Sequence, residues 1–345
     1  RSGFRMGGTG GWRTVDVRQG LASDTTSCAL ADREGSVWIG FAGAGLTRWL
    51  GYNEWESWTR AEGLASDNIL SVVRDASGTM WAATSAGLER VGGPRAAARF
   101  TDGTIRTLAA TGDGDLWVAI SGRGFSRFHP GTSTTPKIQA FPSVRHMLPV
   151  SDGSVWLTTE SGIHHSREGR IERVFGDPGE QFYESLRARD GTLWFGSSRG
   201  LVRFREGAWT RIPPSEGIRG THVVHLAETP DGALWFGYRD ALGLSAITRG
   251  GIVHLTTREG LASNQISFLR TDARGNLWAG HDRGVDVLSG GRWRHYGEPE
   301  GLIWAHCNVD AFLADPDGSV WIGTSRGLAH YRPAANSDPD RALPV

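Results

Sequence analysis

Asp315-Pro316-Asp317-Gly318-Ser319-Val320-Trp321-Ile322-Gly323-Thr324-Ser325-Arg326-Gly327-Leu328 decides the fold, because this stretch recurs eight times along the chain. The anchors are Trp38, Trp81, Trp117, Trp156, Trp194, Trp235, Trp278 and Trp321, each with a Gly three residues before it and another six to eight after it. Successive anchors lie 43, 36, 39, 38, 41, 43 and 43 residues apart. A unit of about forty residues with four short strands cannot bury both of its faces alone, so copies must stack around an axis. The repeat predicts an all-β chain folded as a β-propeller.

Each unit parses into four strands. In the second, Ile69 to Val73 is the inner strand, and Asp75-Ala76-Ser77-Gly78 is a tight turn. Met80 to Ala83, Gly87 to Val91 and Ala96 to Phe100 complete the sheet. Asp accepts local backbone N–H bonds in such turns, and Gly takes the φ that other residues resist. Three inner strands occur in every unit, but a fourth follows only the first seven, and the unpaired Trp12-Val17 can supply the missing one. We therefore expect eight four-stranded blades closed by this N-terminal strand, which removes the free seam. Seven is the alternative, if the third or fourth set is not a true blade. The expected organisation is a flexible lead-in over 1–11, the propeller over 12–332, and a Pro-containing linker or tail over 333–345.

Composition narrows the function. Lys plus Arg equals Asp plus Glu, 37 of each, so no net field draws in a nucleic acid. No run of eighteen apolar residues exists to span a bilayer, and no membrane contact by this segment is expected. The opening Arg1-Ser2-Gly3-Phe4-Arg5 lacks an apolar core and is no signal peptide; a start without Met favours a processed piece. Cys28 and Cys307 make neither a disulfide framework nor a metal site. In an eight-bladed ring they fall on neighbouring inner strands about four residues out of register, so two free thiols are expected. One Trp per blade at one position reads as core between blades, not as a sugar-stacking platform.

The inner strand lines the axial channel, so candidate ligand residues are sought there. Twelve residues before each Trp the residue is apolar in seven of eight units, as at Ile69, Ile105, Val144, Phe182, Val223, Ile266 and Val309. Thirteen before it stand Thr25, Asn68, Thr104, Ser143, Gln181, His222, Gln265 and Asn308, all polar. Eleven before it are Arg106, Arg145, Tyr183 and Asp310, just inside the ring. The period-two switch puts one face between blades and the other at the channel mouth. Uncharged donors and acceptors suit a polar ligand such as a short oligosaccharide, and Arg106 and Arg145 also accept a carboxylate or sulfate. A simply hydrated channel is the plainer reading of the same polarity. The mouth candidates are thus Thr25, Asn68, Arg106, Arg145, Tyr183, His222, Gln265, Asn308 and Asp310.

Catalytic and metal constellations are weak. His146, His222, His225, His254 and His306 are scattered over three units, and His164-His165 would point to opposite faces of one strand. Asp113, Asp152, Asp190, Asp231 and Asp317 belong to turns, and the Gly-x-Gly sequences precede strands, which excludes a phosphate loop. We expect no catalytic residue, no metal and no cofactor.

The unit Asp-x-x-Gly-x-(Leu/Val)-Trp-(Ile/Phe)-Gly-Thr-x-x-Gly-Leu resembles the two-component regulator propeller repeat, best at Asp315 to Leu328, Asp190 to Leu201 and Asp32 to Leu46. The Gly-Leu-x-Ser-(Asp/Asn) loops at 20–24, 63–67 and 260–264 match that family too. The resemblance covers about residues 12–332. It implies a non-catalytic periplasmic or extracellular sensor domain of a histidine-kinase-type receptor, binding a polar small molecule or oligosaccharide or aiding homodimerisation of the receptor. Family members often split more repeats between two propellers. The Asp-Gly-x-(Leu/Val)-Trp core is also similar to the streptogramin lyase repeat, an enzyme alternative for which His222 is the candidate. A protein-binding scaffold is the third reading, since fold alone cannot choose.

Overall fold

The Asp of each turn and the Trp that follows it are the local device from which the sheets are built. Asp75 accepts backbone N–H bonds from Ser77 and Thr79, and Trp81 donates its indole N–H to the same carboxylate at 2.8 Å. Trp278 and Trp321 donate to Asp272 and Asp315 in the same way, each at 2.9 Å, while Thr229 takes the Asp role for Trp235. The turn thus fixes the indole before the blades pack, and the repeated spacing of six residues is a hydrogen-bond length written into sequence.

In the computed structural model, residues 4–8, 11–15, 17, 21–31, 37–49, 54–92, 104–130, 138–141 and 143–333 are described. They form an all-β chain of small antiparallel sheets. Seven inner strands follow one another around an axis: Ile69–Arg74, Ile105–Ala110, Val144–Pro149, Phe182–Arg187, Val223–Glu228, Ile266–Thr271 and Cys307–Ala314. We number the blades they open I to VII. The last inner strand bonds in parallel to the first through Asp310 and Ser71, so the circuit is closed. Seven apolar clusters fill the seven blade junctions, and the one at the seam sets Trp321 and Leu328 of blade VII against Ile69, Val72 and Met80 of blade I.

This corrects the expected eight blades and their closure. The outer strand of blade VII is Trp55–Trp58, which pairs antiparallel with Gly327–Tyr331. Trp12 to Val15 pairs instead with Phe4–Gly8, a stretch expected to be unstructured lead-in. The first repeat, around Trp38, makes a separate three-stranded sheet with its own small core of Leu21, Val37, Ile39 and Phe41, against which Phe4 packs. The physical reason is the seam. Trp55 is 3 % exposed and meets the rings of Tyr296 and Tyr331 at centroid distances of 5.6 and 5.2 Å, burial that no remote strand can replace. Among the described residues the strands of the closed circuit run from Trp55 to Tyr331. The expected strand over 96–100 and the tail beyond Pro333 lie outside the described residues.

The Gly of Trp-(Ile/Phe)-Gly sits where blades touch. A Cβ on Gly323 would stand 2.5 Å from the Ala311 side chain and 2.8 Å from that of Ile69, and one on Gly196 would stand 2.5 Å from the Val223 carbonyl. Six of the seven ring anchors are nine-tenths or more buried, with Trp194 partly exposed, as a core role requires. The Gly-Leu-Ala-Ser loops are structural as well. Leu64 and Leu261 are buried, Ser66 and Ser263 accept from the N–H two residues on, and Asp67 and Asn264 accept from Arg60 and Thr257. Cys28 is exposed on the separate sheet and Cys307 is buried in the ring, so the two thiols are not on neighbouring inner strands.

Candidate functional site

Every inner strand is bulged at the same place. In blade I, Ile69 faces Thr84 while Ser71 already faces Ala83, so Leu70 is extra and unpaired. The same irregularity frees Arg106, Arg145, Val224 and Ser267 and falls beside Tyr183. A bulge bends the strand and re-aims the freed side chain. These residues stand at the end of the ring where the loops between blades enter.

Blade VII departs from this pattern. Between Cys307↔Thr324 and Phe312↔Ile322 its inner strand advances five residues while the partner advances two, three extra instead of one. Cys307, 1 % exposed, therefore takes the core place that Ile69 or Val223 holds elsewhere, and Val309 is 61 % exposed instead of packed. His306 inherits the outer register position. Counting back from Trp321 could not reveal this; the only signal is an apolar Cys307 between polar neighbours.

The structure brings most of the sequence-chosen residues to one mouth. Asn308 Nδ2 donates to Asn68 Oδ1 at 3.1 Å and to the Ile69 carbonyl at 2.6 Å, bridging the seam. Gln265 donates to the Arg239 carbonyl at 3.4 Å, and His222 Nδ1 shares a hydrogen bond with Thr221 Oγ1 at 3.0 Å. Arg145 donates to Glu160 at 2.9 Å and to Gln181 at 3.3 Å, and its guanidinium lies 5.1 Å from the Tyr183 ring centre. Arg239, absent from the sequence reading because it follows the second strand of blade V, lies 4.6 Å from the same ring. Burial, Arg106 and Arg239 together hold the Arg145 guanidinium below its ordinary pKa, against the opposing pull of Glu160. Thr25 directly precedes the first strand of the separate sheet, Thr26–Ala31, and leads into none of the seven inner strands of the ring.

Below the mouth the axis is filled by charge. Arg270 of blade VI binds Glu184 of blade IV and, at 3.0 Å, Asp310 of blade VII. Asp310 also accepts from Thr107 of blade II and, at 3.4 Å, from Ser71 of blade I. His146 of blade III meets Ser185 at 2.9 Å, and His225 of blade V stands 3.5 Å from Glu184. All seven blades contribute. Burial pushes the Glu184 carboxyl up, but Arg270 and His225 outweigh it and hold it below the usual range. Burial depresses His146 despite Asp310 and Glu184 nearby. Asp310 is thus a strut of the axis more than a free acceptor.

One cluster was illegible in sequence. His281, Asp286 and His295 of blade VI converge, with ring nitrogens 3.3 and 2.9 Å from the carboxylate. His281 Nδ1 accepts the Arg283 N–H at 3.0 Å, which leaves its proton on Nε2, aimed at Asp286. Asp286 also accepts the Ala262 N–H at 2.8 Å, just as Glu89 accepts that of Ala65. The group pins a loop, and its protonated nitrogen is a poor metal ligand.

The model of the two component regulator propeller family matches residues 299–326, from the loop entering blade VII to its third strand. That stretch carries the two-component regulator propeller repeat. No curated protein matches the sequence. Among solved structures, this chain is similar to the extracellular domain of a hybrid two-component system of B. thetaiotaomicron, with a TM-score of 0.71 and 17 % identity over 91 % of this chain and 46 % of that one. A second such domain from that organism gives 0.65 and 19 % over 81 % and 39 %. A virginiamycin B lyase of Staphylococcus aureus gives 0.65 and 15 % over 80 % and 98 %. The chain spans less than half the length of either extracellular domain, and at these identities the likeness is one of fold. Among the described residues no helix is long and apolar enough to cross a membrane.

Proposed function

We propose that this regulator propeller is the extracytoplasmic, non-catalytic sensing part of a bacterial two-component-type receptor, and that a polar ligand such as an oligosaccharide occupies the bulged mouth. Asn68, Arg106, Arg145, Tyr183, His222, Gln265 and Asn308 are its contact residues in this reading. One observation carries it. The Glu184–Arg270–Asp310 ion pairs join three blades across the axis, so a ligand among the bulged side chains would rest on them instead of passing through the ring. Amides, hydroxyls and guanidinium groups together suit a hydroxyl-rich molecule. The separate first repeat fits the end of a neighbouring propeller, and receptor dimerisation through the remainder of such a protein belongs to the same proposal. The lyase-like alternative rests on His222, whose recorded hydrogen bond goes to Thr221 and not to an acid.

A thermal-shift screen against neutral, acidic and sulfated oligosaccharides tests this. A ligand of the folded state raises the melting temperature with concentration, and Asn68→Ala weakens the shift. A well-folded protein that responds to no glycan sinks the ligand reading in favour of a scaffold.

A further inference from the structure

The mouth is electrically lopsided. Blades II, III and V contribute Arg106, Arg145 and Arg239, the last two 5.1 and 4.6 Å from the Tyr183 ring centre, whereas blades VI, VII and I contribute Gln265, Asn308 and Asn68. Among the described residues, one carboxylate answers the three cations: Glu160, itself 52 % exposed, bonded to Arg145. Among the described residues Arg106 and Arg239, both exposed, form no ion pair, and Arg145 Nε is buried with no hydrogen-bond partner. The acids of the axis do not neutralise the arc, because Glu184 and Asp310 are both taken by Arg270. Arg145 already spends Nη2 on Glu160 and Gln181, whereas the exposed guanidinium groups of Arg239, on the same ring, and of Arg106 keep donors for a ligand, the chemistry that recognises an oxyanion. Arg239 is held for this by its backbone, whose N–H donates to the His222 carbonyl at 3.0 Å and whose carbonyl accepts from Gln265.

Resting on the ligand reading above, we infer that the mouth selects an oxyanion-bearing ligand, a carboxylate or sulfate ester, bound by the exposed Arg106 and Arg239 with Arg145 between blades beside Tyr183. The neutral amides of blades VI, VII and I take the uncharged part of the same molecule.

The test is calorimetric titration of the full chain with oligogalacturonate, with its fully methyl-esterified form, and with a sulfated galactan oligosaccharide. The esterified form keeps the backbone and removes the charge. We expect at least one anionic probe to bind, with affinity ten-fold or more weaker for the ester or an unsulfated galactan of the same length, and weaker again at high salt. Arg239→Gln and Arg106→Gln should each cost about ten-fold while leaving the melting curve in place, since both side chains are exposed. Preference for galacturonate marks a carboxylate site, and preference for the sulfated probe a sulfate site. Equal binding of charged and uncharged forms overturns the inference and leaves the ligand reading standing. Anion binding that neither Arg variant weakens also overturns it. Failure of every probe, charged or not, overturns both.

Discussion

Replacing Arg270 by Met would remove the cation that joins three blades while keeping the length and apolar stem of the side chain. Glu184 would retain the Leu226 N–H at 3.3 Å and His225 at 3.5 Å, and Asp310 would retain Ser71 and Thr107. The Glu184 and Asp310 side chains are only 9 % and 20 % exposed, so water compensates poorly for the lost partner. Breaking a buried pair by removing one member costs about 3–5 kcal/mol, because a buried charge is left uncompensated. From Glu54 to Arg332 the propeller has 279 residues. At about 2.1 cal/mol/K per residue its unfolding entropy is about 0.6 kcal/mol/K, so the melting temperature should fall by about 5–8 °C at pH 7. The deficit should narrow on acidification. In the native protein Glu184 is held below its ordinary pKa, so its contribution is present above the unfolded value and lost as pH falls through the folded one. Without the guanidinium, burial dominates and raises that pKa, and protonation then relieves the variant as pH falls. Differential scanning calorimetry at pH 7 and pH 5 measures both effects. A deficit under about 1 kcal/mol, or one that does not narrow at pH 5, would refute the strut.

Other outcomes follow from the same geometry. Trp55→Ala should lose about 3–5 kcal/mol by opening the seam, whereas Leu30→Ala, 66 % exposed on the separate sheet, should stay within about 0.5 kcal/mol; equal effects in denaturant melts would count against the closure. Burial holds His146, His164, His165 and His254 below the ordinary His value, so their contribution is full above the unfolded pKa and is lost as pH falls below it. The melting temperature should therefore decline from pH 7.5 towards pH 5, and His146→Gln should flatten the slope. A thiol reagent should label one cysteine in the native protein and two after unfolding, because Cys28 is exposed while burial pushes the Cys307 thiol up to about 12; two fast native reactions would argue against the buried assignment.

The sequence alone determined the blade and its chemistry. The Asp-to-Trp spacing is a short-range hydrogen bond, the Trp-x-Gly step is a local packing need, and the Gly-Leu-Ala-Ser loop closes on itself, so each is written within a dozen residues. The same locality let the sequence place Asn68, Arg106, Arg145, Tyr183 and Gln265 at the starts of their inner strands. What joins one blade to another is not local. Trp55–Trp58 closes the ring rather than Trp12 to Val17, because it alone buries an aromatic cluster with Tyr296 and Tyr331, some 240 and 275 residues away in the chain. The wide bulge of blade VII moved Cys307 into the core and Val309 out of it, which a fixed count from Trp321 cannot register. The axial ion pairs draw Glu184, Arg270 and Asp310 from different offsets in three blades, and Arg239 reaches Tyr183 from a turn. Only the closed ring brings these charges within a few ångströms of one another, since the blade count and register set which residues meet on the axis.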